Sequence, residues 1–371
     1  MKVKEQDVFK LLARHLDELP AGFPPTESGV ELRILRRLFT EEEAEMALHL
    51  TLIPERDGSI AKRTGLPAEK ACQLLSDMSH KGLIYRIDRE GEEPKYMAAH
   101  FIIGIWEFHV NDLSPELIED MEEYMPHFVS EIWEKTPQLR TVPINQSIPV
   151  DHEILDYENA EHLIRSHNKF LVAPCICRRE RKMVGEGCEK LEEACLVLGG
   201  GVEYYEKNGL GRRISLDETL AILKRADQEG LVVQPSNSQK IVNICLCCGC
   251  CCGVLRNLKR HPETAKIVSS PFLVSHDSEN CTVCEVCLSR CPMDALSLED
   301  EQIVVDQLQC IGCGLCVSTC PSESMMLVRK PESELPDVPR KFREIYIRLA
   351  KERGKLKLTQ LAKYLIRSKL T

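Results

Sequence analysis

The chain has 371 residues, 43% of them apolar and 29% charged, with a formal net charge of −10 and 19 cysteines. This composition excludes disorder and a membrane class, since nothing approaches the roughly 18 consecutive apolar residues of a bilayer span and Phe101–Trp106 is among the longer runs. The opening MKVKEQDVFK has no apolar stretch to act as a secretion signal, so the thiols are expected to stay reduced in the cytoplasm, where many cysteines point to metal rather than disulfides.

The predicted elements begin with an amphipathic pattern (Val8, Leu11, Leu12, Leu16), broken at Pro20 and Pro24-Pro25 and resumed as a helix from Gly29 to Phe39. Thr40 to Glu43 reads as a capping box opening a helix to about Leu50. A short helix over Gly58–Thr64, a Gly65-Leu66-Pro67 turn and a helix over Ala68–Lys81 follow. Leu83–Ile87 and Lys95–Ala99 then alternate as strands around a polar loop. This order, from Thr40 to about Phe101, resembles the winged helix-turn-helix family, which implies either DNA binding or a docking or purely structural module. Phosphate contact needs basic side chains. The second helix carries Lys70 and Lys81 against Glu69 and Asp77, and the wing carries Arg89 and Lys95 against Glu90, Glu92 and Glu93, so a docking or purely structural module is favoured over DNA. Cys72 on that helix reads as a small core residue.

Residues 101–139 read as helical, with Ser114 as N-cap and Pro115 at the first helical position. Beyond Arg140 short strands and helices alternate. Phe170–Ala173 reads as a buried strand, Ser215–Glu218 as a capping box for a helix ending at Gly230, and Leu231–Val233 and Ile241–Ile244 as strands. The middle region is therefore mixed α/β, and Gly199–Gly201 reads as a flexible turn.

Cys281, Cys284, Cys287 and Cys291-Pro292 recur as Cys310, Cys313, Cys316 and Cys320-Pro321, displaced by 29 residues. A cubane cluster needs four thiolates, and a loop with cysteine at every third position supplies three without strain. The repeat resembles the bacterial two-cluster ferredoxin over residues 272–329. That resemblance implies two 4Fe-4S clusters with crossed ligands, Cys281, Cys284, Cys287 and Cys320 on one and Cys310, Cys313, Cys316 and Cys291 on the other, and one-electron transfer as the activity. The second loop has Gly312 and Gly314 where the first has Val283 and Glu285, so unequal potentials are expected. Zinc is the alternative occupant of paired cysteines.

A second constellation comprises Cys175, Cys177, Cys188, Cys195, Cys245, Cys247, Cys248, Cys251 and Cys252, with Cys250 inside the same run. Cys175 and Cys245 each follow a predicted strand, so both groups are expected at one edge of a sheet. They offer thiolates for one further cluster or two; an iron–sulfur occupant is favoured, with zinc or a redox dithiol as alternatives. Adjacent cysteines cannot all face one metal. The Cys247-Cys248-Gly249 and Cys251-Cys252-Gly253 steps look faintly like the cysteine-rich domain of heterodisulfide reductases, but that family's long spacings are missing and its chemistry is not carried over. Arg178, Arg179, Arg181 and Lys182 are expected to offset thiolate charge.

From Arg329 to Thr371 the chain carries 13 Lys and Arg against 5 Asp and Glu, with Phe342, Ile345, Leu349, Leu358, Leu361 and Leu365 at helical spacing, which reads as a basic amphipathic tail.

The expectation is a multidomain α+β chain: residues 1–139 helical with a winged-helix-like module, 140–271 a cysteine-rich α/β domain, 272–329 a ferredoxin-like dicluster domain, and 330–371 a helical tail. As a whole it resembles a set of iron–sulfur proteins of anaerobes. The expected function is electron transfer to or from a redox partner protein, as a component of an oxidoreductase system. A redox- or iron-sensing regulator on DNA is the alternative. No acid–base pair marks the chain as a self-sufficient enzyme.

Overall fold

The computed structural model describes residues 7–144 and 155–355. The Leu358, Leu361, Leu365 stripe lies outside the described residues. The chain forms two units: one built from the segments up to Ile132, Glu203–Leu210 and from Tyr346 on, the other from Trp133–Val202 and Gly211–Ile345.

In the first unit, α1 (Val8–Glu18), α2 (Val30–Leu38) and α3 (Glu41–Ala47) each bury an apolar face, and Leu12, Ile34 and Leu35 are fully buried. Thr40 caps α3 by the expected reciprocal box: its hydroxyl accepts from the Glu43 amide, and the Glu43 carboxylate accepts from the Thr40 amide. The helix ends at Ala47, three residues short of expectation. After β1 (Glu55–Arg56) come α4 (Asp57–Thr64), α5 (Ala68–His80), β2 (Ile84–Ile87) and β3 (Lys95–Ala98). The strands form an antiparallel sheet in the order β1-β3-β2.

The helical pattern expected from Phe101 is interrupted at its start. Ile103 sits at φ 51° and Ile102 is extended, so the chain breaks before the short α6 (Trp106–Phe108). α7 (Pro115–Phe128) then starts at the expected Ser114 cap. Its Asp120 carboxylate, almost fully buried, accepts from Arg33 at 2.8 Å and Arg37 at 2.6 Å, fastening α7 to α2. Phe23 lies against Phe101, ring centroids 4.5 Å apart, and Tyr124 donates to the Pro24 carbonyl.

The second unit runs through α8 (Ala160–Arg165), β4 (Phe170–Pro174), α9 (Ile176–Met183) and β5 (Glu193–Leu198). α10 (Val202–Lys207) interrupts it and places Tyr204 in the first unit, where its hydroxyl donates to the Ser79 and Ile84 carbonyls. β6 (Arg212–Ile214), α11 (Leu216–Gln228), β7 (Val232–Pro235) and β8 (Asn243–Cys247) complete an antiparallel sheet ordered β6-β4-β5-β8-β7. Ser215 caps α11 by accepting from the Glu218 amide, while the Glu218 carboxylate bonds Arg212. α8 and α11 cover the sheet with Leu163, Ile164, Leu223 and Ala226 over Val172, Leu196 and Ile244.

α12 (Gly253–Leu258) and α13 (Thr264–Ile267) lead to the repeat segment. There β9 (Phe272–His276) pairs with β12 (Met325–Arg329), so the segment's two ends lie side by side, and α14 (Val286–Arg290) precedes the hairpin of β10 (Leu296–Glu299) and β11 (Gln302–Val305). Arg329 grips the buried Glu158 with both Nη atoms, at 2.7 and 3.0 Å. α15 (Phe342–Glu352) buries Ile345 and Leu349 as expected.

Candidate metal centres

The repeat shapes two cavities. One is lined by Cys281, Cys284, Cys287 and Cys320, the other by Cys291, Cys310, Cys313 and Cys316. Each therefore gathers three thiols of one loop and the fourth from the other, the crossing that the ferredoxin resemblance implies.

The backbone repeats with the cysteines. Val283 (φ 51°) and Glu285 (φ 61°) adopt the left-handed conformation of Gly312 (φ 63°) and Gly314 (φ 76°), and Asp294 (φ 55°) matches Glu323 (φ 53°). At position 312 glycine is required twice over, because a Cβ there would lie 2.0 Å from the Phe272 carbonyl oxygen. The β-branched Val283 holds the same conformation under strain.

Donors aim at the sulfurs. The Val283 amide lies 3.4 Å from Cys281 Sγ and the Ala295 amide 3.2 Å from Cys291 Sγ. Cys320 Sγ lies 3.3 Å from the Ser324 hydroxyl and 3.6 Å from that of Ser322. Burial raises the Cys320 thiol, but these hydroxyls and the amides of Met325 and Ser322 outweigh it and bring it down to about 7. Cys291 has no such hydroxyls; burial pushes its thiol up despite the Met293 and Ala295 amides. Thiol-lined cavities with donors on the sulfurs fit an iron–sulfur cluster, whose thiolates need charge stabilisation.

The middle-region cysteines divide into two groups. Cys188, Cys248, Cys250 and Cys251 place their sulfurs within 4.8 Å of one another. Cys188 Sγ lies 3.9 Å from Cys248 and 3.6 Å from Cys251, and Cys251 lies 3.8 Å from Cys250. The other six form a line of hydrogen-bonding contacts, Cys175 to Cys177 to Cys252 to Cys247 to Cys245 to Cys195. Their thiols alternate: bonds from Cys195 and Cys177 hold Cys245 and Cys252 well below the usual thiol range, and Cys177 and Cys247 rise well above it as they donate to Cys175 and Cys245.

Topology explains this grouping. β4, β5 and β8 are neighbours, with Ala173 opposite Cys195 and Cys195 opposite Cys245. β4 and β8 both run antiparallel to β5, so their cysteine-bearing ends meet at one end of the sheet, as expected. Cys245 and Cys247 lie within β8 rather than after it, however, since the strand extends to Cys247. Cys252 stands at the start of α12, where the Val254 and Leu255 amides point at its sulfur.

Arg178 is fully buried beside the thiols; Nη1 donates to the Leu191 carbonyl, Nη2 to that of Leu246, and Nε has no partner. Burial disfavours its charge, but the thiolates of Cys175, Cys248, Cys247 and Cys188 outweigh burial and keep the guanidinium charged. Arg179 and Lys182 instead pair with Glu192, and Arg181 with Glu186. Gly249, between Cys248 and Cys250, packs on the loop of the second cavity: a Cβ there would lie 1.9 Å from the Pro292 carbonyl oxygen.

With this geometry in view, the comparison with known families is decisive for one segment. Residues 273–321 match the 4Fe-4S dicluster domain family. The chain thus carries a 4Fe-4S domain and is an iron–sulfur protein of the electron-transfer kind. Neither curated proteins nor solved structures yield a match to the chain.

Among the candidates, the tight group takes in Cys250, which the sequence reading left out of its proposed ligands. The adjacent cysteines do not all join one group: Cys250 and Cys251 belong to the tight one, and Cys252 to the line. The signal available in sequence was the Cys-x-Cys step from 248 to 250, which places two thiols on one side of a tight loop around Gly249.

Proposed function

We propose that the chain is an electron carrier holding two interlaced 4Fe-4S clusters, one on Cys281, Cys284, Cys287 and Cys320 and one on Cys310, Cys313, Cys316 and Cys291, serving an oxidoreductase system of the reducing cytoplasm as component or donor. The observation that carries this reading is the crossing of the loops, three thiols from one and a fourth from the other at each cavity. A bound cluster supplies reversible one-electron chemistry. The chain's own groups orient the thiolates, donate to them from Ser324 and the loop amides, and wall them with Val274, Ile303 and Met325.

The six-thiol line of the middle region is read as the site of a further iron–sulfur cluster, with Arg178 offsetting thiolate charge. The packing of Gly249 on Pro292 supports treating the two cysteine regions as one redox assembly. The order of helices and strands from residue 40 to about 101 supports a winged-helix-like module used for docking a protein partner. The cations counted on its second helix and wing are taken up by carboxylates: Lys70 by Glu42, Lys81 by Glu43, and Arg89 and Lys95 by Glu92. Phosphates would have to displace those pairs, which disfavours the DNA reading.

Iron and acid-labile sulfide analysis of anaerobically purified protein tests the proposal. About eight iron atoms per chain fits the two cubanes alone, about twelve adds the six-thiol site, and iron-free protein contradicts the reading.

A further inference from the structure

The four-thiol group Cys188, Cys248, Cys250 and Cys251 has the dimensions of a different kind of site. Four thiolates around one ion at metal–sulfur distances of about 2.3 Å stand at the corners of a tetrahedron with edges of about 3.8 Å. Three of the six sulfur separations in the group are 3.6, 3.8 and 3.9 Å, and all six lie within 4.8 Å. A cubane sets each thiolate on a different iron atom and so spreads its ligands wider. The ferredoxin-type cavities provide an internal contrast, since among the described residues the Cys188 group is the one set of three or more His, Cys, Asp or Glu side chains drawn this close.

Charge gives a second, independent observation. Four thiolates around a divalent ion carry a net charge of −2, and a buried anion of that size needs a cation beside it. Arg178 is such a cation, fully buried beside the thiols, with Nη1 and Nη2 on the Leu191 and Leu246 carbonyls and Nε without a hydrogen-bond partner. The Glu229 carboxylate acts on this guanidinium, and an anionic site at the thiols beside it adds to the compensation of its buried charge.

We propose that Cys188, Cys248, Cys250 and Cys251 bind a single tetrahedral zinc ion, separate from every iron–sulfur cluster of the chain. Thiolate-only tetrahedral coordination selects zinc among redox-silent ions. The ion ties the segment after α9 to the loop after β8 across 60 residues of sequence. It fixes the turn whose Gly249 rests on Pro292, next to Cys291. Its role is therefore to hold the middle region in register with the second ferredoxin-type loop, while electrons travel elsewhere. Cys250, the exposed ligand, leaves one side of the site open to solvent.

The test uses the full chain, produced with iron in excess and purified without oxygen, and reads zinc and iron content together with zinc-edge X-ray absorption. The expected result is one zinc per chain surrounded by four sulfurs. Cys250→Ser, at an exposed position, and Cys188→Ser should each drop zinc well below one per chain and leave iron unchanged. Zinc-free wild-type protein overturns the proposal, as does zinc bound by nitrogen or oxygen. A loss of about four iron atoms in either variant also overturns it, because the four thiols then belong to a cluster. The two readings fail separately: iron-free protein that keeps a four-sulfur zinc defeats the ferredoxin reading alone, and iron-loaded protein without zinc defeats this one alone.

Discussion

Gly312 and Val283 occupy equivalent backbone positions under opposite constraints, one hemmed in by the Phe272 carbonyl and the other strained by its own branched side chain. Gly312→Ala should therefore abolish the spectrum of the second centre. Val283→Gly should keep both centres and change stability by no more than about 1 kcal/mol, since relief of left-handed strain is offset by glycine's entropy. Reduced-state electron paramagnetic resonance with thermal unfolding reads both outcomes; a Gly312→Ala protein with intact centres would show that the close approach is dispensable. Ser324 supplies a second residue-level test. Its hydroxyl stabilises charge on Cys320, so Ser324→Ala should lower the potential of the first centre and leave the second unmoved in a redox titration. At this scale the sequence was most legible where cysteines repeat at fixed spacing: the eight repeat cysteines it picked out all line the two cavities. Cys250 was harder to place, because the Cys-x-Cys step from 248 to 250 groups those two thiols without naming the partner that completes their site. That partner, Cys188, is brought from 60 residues away by the sheet.

Among the secondary-structure elements, caps and periodicity were readable and interruptions were not. The Thr40 box lay open in the sequence, and it predicts a measurable contribution. Burial raises the Glu43 carboxyl, but Lys81 and the Thr40 amide outweigh it and hold its pKa below the ordinary value. A depressed folded-state pKa means stability that is present above the unfolded carboxyl pKa and lost as the pH falls through the folded one. Thr40→Ala should cost about 1 kcal/mol at neutral pH. Glu43→Gln should flatten the acid limb of the thermal stability curve, and an unchanged limb would remove Glu43 from this role. The break at Ile102–Gly104 was hidden because the apolar run there satisfies a helical pattern whether or not the backbone follows it. The extension of β8 through Cys247 was likewise masked, since strand pairing with β5 and β7 decides it rather than residue propensity. Gly249→Val should push the cysteine turn off Pro292 and perturb the second centre's spectrum more than the first's; equal effects on both would show that the contact is not specific.

For the whole molecule, the linear order of segments conceals how they assemble. The first unit recruits Glu203–Leu210 and the chain from Tyr346 on, joining stretches that no local pattern connects. Tyr204 illustrates the reason: its value lies in bonding the carbonyls of Ser79 and Ile84, over a hundred residues away in sequence. Arg353 does the same near the other end, bonding Asp17 and the Leu19 and Pro20 carbonyls. The repeat segment was legible because its cysteines and its fold are one pattern, while the middle region gathers ten cysteines from two strands, two loops and two helix starts. The central claim, two clusters with exchanged fourth ligands, is tested most directly by comparing the reduced paramagnetic spectra of four single variants. Cys284→Ala and Cys320→Ser should alter one and the same centre, and Cys313→Ala and Cys291→Ser the other. If Cys320→Ser instead alters the centre affected by Cys313→Ala, each loop holds its own cluster and the interlaced account is wrong.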